Sequence, residues 1–291
     1  MGSRVSNMFS SPLQCGTCFI FAMGLAWSLS IPFSAHAGGD LRGSGKSSEW
    51  SYSGEKGPEH WAESKSFYNY LCSLGESQSP INLVHEESVH KAIKDNDVQT
   101  NYQVNHHLEI DNTGHGIEVR YDRDNTVVVG GVEYKLDNVH FHMPSEHTKE
   151  GKYLDGEIHF VHVNEEGEIA VMALFMKAGA HADESLNYIL ALAPDSGGHV
   201  EIDTTRDLSP PGMLASMMSS HGKWNHYRYR GSLTTPPCKE GVEWIVIENP
   251  VAISEAQLTQ LSNIFPKGNN RPIQKHSIIQ VTEYRNDVGP Q

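Results

Sequence analysis

The stretch Val139-His140-Phe141-His142-Met143-Pro144-Ser145-Glu146-His147, followed by Glu157-Ile158-His159-Phe160-Val161-His162, decides how this chain is read. Strand side chains alternate between two faces, so His140 and His142 project to one side. After the turn-like Lys149-Glu150-Gly151, a second alternating run puts Glu157 and His159 on one face and Ile158 and Phe160 on the other. If the two runs pair, His159 joins His140 and His142 in a site of three imidazole nitrogens. Three such ligands leave the fourth position of a tetrahedral zinc open, as a catalytic rather than a structural ion requires. Glu157 lies two before His159 and Asn138 two before His140, each on its histidine's face. Both suit the second ring nitrogens, which need partners to fix tautomer and aim.

For any one of these histidines, a hydrogen-bonded core position or a polar sheet face is the plain alternative. The density of the run argues against that for the group. A structural zinc calls for cysteines, and none stands nearby. The protease pattern H-E-x-x-H is absent, its inverse H-x-x-E-H fails at Met143, and no G-x-S-x-G occurs.

Working outward, strand signals dominate. His107–Asp111, Gly116–Tyr121, Thr126–Val129, Asn138–Met143, Glu157–Asn164, Ile169–Lys177 and Glu243–Glu248 are alternating or β-branched runs punctuated by Gly, Asn and Asp. Helical pattern is confined to Asp183–Ala193, opened by an acidic cap and closed before Pro194, and Ser254–Phe265, closed before Pro266. The expected fold is α+β but β-dominated. One domain over residues 49–285 surrounds a large, mostly antiparallel, twisted central sheet with short peripheral helices, and residues 286–291 form a tail.

The chain has 291 residues with 22 Lys+Arg against 36 Asp+Glu, a net charge of −14. That balance excludes nucleic acid and anionic membrane as natural partners. At the N-terminus, Arg4 is the only charged side chain before Asp40, Cys18–Trp27 is largely apolar, and Ala35-His36-Ala37 offers an A-x-A cleavage site. Residues 1–37 therefore read as a signal peptide and 38–48 as a flexible Gly/Ser-rich lead-in. Ser28, Ser30 and Pro32 interrupt the apolar stretch and argue against a permanent membrane span. The expected location is periplasmic or extracellular. Cys72 and Cys238 survive processing, and in an exported protein they most simply close one disulfide, two free thiols being the alternative.

Beyond the histidine runs, Tyr229-Arg230-Gly231-Ser232-Leu233-Thr234-Thr235-Pro236-Pro237-Cys238 with Trp244 resembles the α-class carbonic anhydrases. Further blocks are similar in the same order: Trp50-Ser51-Tyr52, Gly57-Pro58-Glu59-His60-Trp61, Gln78-Ser79-Pro80-Ile81-Asn82, Asn112-Thr113-Gly114-His115 and Asn269-Asn270-Arg271-Pro272-Ile273-Gln274. Together they span nearly the whole expected mature chain and resemble exported bacterial members in particular.

The resemblance implies a role for each matched residue. His140, His142 and His159 would hold one Zn2+. Bound water would then ionise near pH 7, a figure for which carbonic anhydrase is itself the standard case, and the hydroxide would attack CO2 to give bicarbonate. Thr234 would accept from that hydroxide and donate to Glu146, and His115 would shuttle the proton to buffer. Val161, Val171, Leu233 and Trp244 would form an apolar wall for CO2, with Thr235 at the mouth and Tyr52 in the water network toward His115. Asn138, Glu157, His147, Tyr229, Gln78 and Asn269 would support these groups, and Cys72–Cys238 would match the disulfide of exported members. The bonds before Pro80 and Pro237 match positions where the family uses cis proline.

Three departures stand out: Asn138 replaces a frequent glutamine, Thr113 a frequent asparagine, and Met143 a residue often aromatic or threonine. The implied activity is reversible CO2 hydration, with esterase activity on activated esters as a side reaction. Its partners would be small molecules, and a homodimer is among the assemblies the resemblance allows. The rival readings are a non-catalytic binding protein on the same fold and a zinc hydrolase of another class, which would leave Thr234-Thr235-Pro236-Pro237 unexplained.

Overall fold

The two histidine-bearing runs are neighbouring antiparallel strands, Val132–His142 and Gly156–Val163, with His159 opposite His140 and Glu157 opposite His142. This computed structural model describes residues 50–63, 67–94, 97–121, 125–180, 182–208, 224–275 and 278–286. The expected leader 1–37, the lead-in 38–48 and residues 287–291 of the tail lie outside them.

In chain order the strands are β1 (Asn82–Leu83), β2 (Val89–Ala92), β3 (Val98–Asn101), β4 (Asn105–Asn112) and β5 (Ile117–Tyr121). Next come β6 (Thr126–Val129), β7 (Val132–His142), β8 (Thr148–Lys149), β9 (Lys152–Tyr153) and β10 (Gly156–Val163). The last five are β11 (Ile169–Gly179), β12 (His199–Leu208), β13 (His226–Ser232), β14 (Glu240–Ser254) and β15 (Thr282–Arg285). Among the described residues the main sheet has 12 strands, ordered β12-β4-β5-β7-β10-β11-β14-β13-β15-β2, with β6 joining β7 to β3. Its pairings are antiparallel except β11 with β14 and β15 with β2, so the sheet is mixed but mostly antiparallel, as expected.

The centre of the sheet is buried on both faces, which is why Ile169–Met176 reads as an unbroken apolar run. Ile158 and Phe160 belong to a core with Phe141, Met172 and Ile245. The opposite face carries Val161, Val171, Tyr229 and Trp244 in a second cluster. The alternation read from β10 therefore divides two cores, and His159 lies on the side of the second.

The helices begin where the caps predict. Asp183 accepts from the Leu186 amide at 2.8 Å ahead of Glu184–Leu192, and Ser254 and Gln257 form a capping box ahead of Glu255–Ile264. Cys72 and Cys238 are joined across 166 residues of chain, beside buried Trp61 and the partly buried Trp50 and Tyr52. The peptides before Pro80 and Pro237 are cis as expected; that before Pro144 is also cis and had no forewarning.

Candidate active site

Each histidine of the triad is aimed by a different acceptor. His140 Nδ1 lies 2.8 Å from Asn138 Oδ1, His142 Nδ1 lies 2.8 Å from the Asn269 carbonyl, and His159 Nε2 lies 3.0 Å from Glu157 Oε1. Those bonds leave Nε2 of His140, Nε2 of His142 and Nδ1 of His159 for a common centre. The triad's donor atoms sit within 4.8 Å of one another, and the ring centroids are 4.5–5.2 Å apart. Asn138 is one methylene shorter than the glutamine frequent there, yet it reaches its ring.

Burial lowers the pKa of His140 well below the usual histidine value, and the neighbouring His142 and His159 lower it further. Burial also lowers that of His142, against a partial upward pull from Glu146. Such rings are neutral at pH 7 and present lone pairs. The Nε2 of His142 is buried without a hydrogen-bond partner among the described residues. Three neutral imidazole nitrogens of this kind, with second nitrogens already anchored, are the donor set that zinc takes in catalytic sites.

Glu157 binds the site together. Its Oε1 meets both His159 and His147 Nδ1, the latter at 2.6 Å, while Oε2 accepts from the Glu146 and His147 amides at 2.8 Å each. Full burial would raise its pKa, but His147 and His159 outweigh that and hold the carboxyl well below the usual range. The far side of His147 meets the Tyr229 hydroxyl at 2.7 Å, which meets Ser79 Oγ at 2.8 Å. This chain runs past Gly231, where any Cβ would strike Ser79 Oγ, so the close approach of the two segments needs glycine. The cluster His147–Glu157–His159 also has metal-like spacing, but its nitrogens are already spent on these bonds.

Glu146 is fully buried, its Oε1 accepting from the Arg271 amide at 2.8 Å. Its Oε2 lies 3.6 Å from His142 Nε2 and 3.9 Å from His159 Nδ1 and has no hydrogen-bond partner among the described residues, so the bond expected from Thr234 is not formed here. Thr234 itself is buried in the turn after β13, where the Cys238 amide donates to the Thr235 carbonyl at 2.8 Å.

Arg271 is the contributor that sequence reading passed over, although it stands inside a quoted block. Its guanidinium, buried enough to bring its pKa down to about 10, donates to Gln78 Oε1, Ser79 O and Cys72 O at 3.0, 2.7 and 2.9 Å. Asn269 likewise stitches the site from a distant loop: its amide donates to Phe141 O at 2.8 Å and to His115 O at 3.2 Å.

Val161, Val171 and Trp244 line the second core cluster with Leu233 packed against it, and the Trp244 ring meets His159 edge-on at 5.0 Å. Thr235 is only partly buried. His115 stacks on Trp50 at 3.7 Å and 11°, with Tyr52 edge-on at 6.3 Å. Burial lowers the His115 pKa, while burial first and then Glu146 and Glu118 push Tyr52 well above the ordinary tyrosine value. Thr113 builds the turn under His115, its hydroxyl accepting from the amides of His115 and Gly116 at 3.2 and 3.1 Å.

The family model for eukaryotic-type carbonic anhydrase matches residues 56–286, which contain every residue of the triad and its supports. The chain belongs to the α-class carbonic anhydrases. It is an enzyme of that family, whose general activity is zinc-dependent hydration of CO2. A carbonic anhydrase of Pectobacterium carotovorum is 34% identical over 252 residues, 87% of this chain and 95% of that protein. One from Klebsiella pneumoniae is 37% identical over 78% of this chain and 87% of the relative. The α-carbonic anhydrase of Thermovibrio ammonificans, solved with the inhibitor sulfanilamide, superposes with a TM-score of 0.73 at 36% identity, covering 81% of this chain and all of the other. This carbonic anhydrase thus carries the family's fold over the whole described region.

Proposed function

We propose that this carbonic anhydrase interconverts CO2 and bicarbonate with His140, His142 and His159 holding zinc and His115 exporting the proton. The convergence of three imidazole nitrogens, each opposite an anchored second nitrogen, carries the reading. When bound, zinc acidifies water to a pKa of about 7 and so supplies a nucleophile at neutral pH. Glu146 holds an acceptor oxygen in reserve, to which the Thr234 hydroxyl donates in the working enzyme. Thr234 can then only accept from the reacting centre, which admits species that carry a proton and turns away those that do not. Val161, Val171, Leu233 and Trp244 keep the reacting side free of competing polar groups and receive uncharged CO2, with Thr235 at the entrance. His115, neutral at pH 7 because burial lowers its pKa, takes the proton through water ordered near Tyr52 and releases it to buffer. Activated esters meet the same nucleophile and are slowly hydrolysed. Export to the periplasm or beyond is part of the proposal, supported by the leader-like N-terminus and the Cys72–Cys238 disulfide.

The decisive experiment measures zinc content and stopped-flow CO2 hydration in His140→Ala and His159→Ala. Both variants should lose tightly held zinc and nearly all hydration activity. Full activity in either overturns the assignment.

A further inference from the structure

A second convergence of metal-binding side chains lies at the other end of the sheet. His85 stands in the turn before β2, His90 on β2, and Glu283 on β15, directly opposite His90 in parallel register. Glu283 is fully buried, and its Oε2 lies 2.6 Å from His85 Nδ1 and 2.8 Å from His90 Nδ1. The three donor atoms fall within 4.8 Å of one another, and the two rings are 4.5 Å apart. The two histidines line a cavity of about 410 Å³ together with Lys149, Glu150, Tyr227, Glu248 and Arg285. Four strand spacings separate β15 from β10, roughly 19 Å, so this cluster shares nothing with the first triad.

We propose that His85, His90 and Glu283 form a second divalent-metal site that takes zinc or a similar first-row transition ion. Two imidazoles and one carboxylate suit such ions, and the cavity leaves room for water in the remaining positions. As a hydrogen-bond donor, the His85 ring carries its proton on Nδ1, whereas His90 Nδ1 is buried without a hydrogen-bond partner among the described residues. As a ligand His85 moves that proton to Nε2, an inexpensive exchange because the side chain is 45% exposed and water can receive the Nε2–H. Tetrahedral coordination with bonds near 2.0–2.1 Å needs donors about 3.3 Å apart, so small ring rotations suffice. Buried Glu283 is already fixed, because Arg285 Nη1 occupies its other oxygen at 3.1 Å and Tyr227 lies against it. A bound ion would staple β2, the last strand of the sheet, to β15.

The test is equilibrium dialysis of the holoenzyme against micromolar Zn2+, with metal counted by mass spectrometry. The wild type should exceed the double variant His85→Ala/His90→Ala by one zinc per chain, with CO2 hydration the same in both. His142→Ala should lose a different equivalent and keep this one. His90→Gln alone, which preserves a polar side chain, should weaken the edge equivalent about tenfold or more. Equal zinc uptake by the wild type and the double variant would overturn the proposal, as would an unchanged edge affinity in His90→Gln.

Discussion

The two histidine clusters differ in how much of their geometry is settled before any ion arrives. On β7 and β10, three rings are anchored separately by Asn138, Asn269 and Glu157, and their free nitrogens face inward. Around β2 and β15, two rings crowd one carboxylate oxygen, and His85 must give up its bond to that oxygen to bind. The first cluster is preorganised by partners from several elements, whereas in the second His90 Nδ1 has no hydrogen-bond partner among the described residues and both rings are partly open to water. Metal affinity should follow that contrast, tight and slow to exchange at the centre, weaker and faster at the edge.

Removing the anchor at the centre is the most damaging way to break the contrast. Glu157→Ala strands His147, His159 and two buried amides at once, and should cost about 3–5 kcal/mol of stability. Glu157→Gln keeps the shape and should instead lower zinc affinity about 10- to 100-fold, measured by competition with a chelator. A Glu157→Gln protein that exchanges zinc as slowly as the wild type would mean that anchoring is not what separates the clusters.

The next effect uses His162, on the same strand as His159 but on no metal path. Its ring is fully buried, with Nε2 2.8 Å from the Tyr102 hydroxyl, and burial brings its pKa down to about 4. Unfolding restores a value near 6.5, so between about pH 6.5 and 4 the unfolded chain takes a proton that the folded one refuses. The stability this group contributes is whole above pH 6.5 and falls by up to about 3 kcal/mol by pH 4. Urea midpoints across that range should fall more steeply in the wild type than in His162→Gln, where buried histidines such as His226 still contribute. Equal slopes would remove His162 from the account.

What was legible in the sequence follows the same division between centre and edge. Strands β7, β10 and β11 announce themselves because burial on one or both faces forces alternation or continuous apolar runs. The edge strand β2 reads Val-His-Lys-Ala and has no face that burial would write into the sequence, whereas in β12 only Val200 and Ile202 alternate toward the core, too short a run to stand out. In the site, ligands two apart on one strand are visible at once, as are Asn138 and Glu157. The Asn269 carbonyl on His142, 127 residues away, and the Arg271 amide on Glu146, 125 away, leave no local trace. Only the resemblance marked Asn269 in advance, and nothing marked His85, His90 and Glu283 as neighbours.

A smaller effect concerns the proton path. His115→Ala should retain its zinc and slow turnover about tenfold in weak buffer, with recovery on adding imidazole. Because burial lowers the His115 pKa, the ring is an acceptor at pH 7 and loses that capacity as pH falls through its own value. The gap between wild type and variant should therefore narrow toward acid. A constant gap would assign Trp50 and His115 a structural role only.

Asn138→Gln sharpens the comparison most finely, because it lengthens an anchor without removing it. The amide oxygen of Asn138 already sits 2.8 Å from His140 Nδ1, while its nitrogen donates to Asp137 Oδ2 at 2.8 Å. That second bond orients the amide so that oxygen, not nitrogen, faces the ring, which fixes the His140 proton on Nδ1. Glutamine has one more rotatable bond to hold and must push the ring or fold back to keep its oxygen in place. Zinc affinity should drop only a few-fold, since tautomer and aim survive. If Asn138→Gln instead matches Glu157→Gln in its loss, the length of an anchor matters as much as its charge, and the difference between the two clusters lies in distances rather than in the number of separate acceptors.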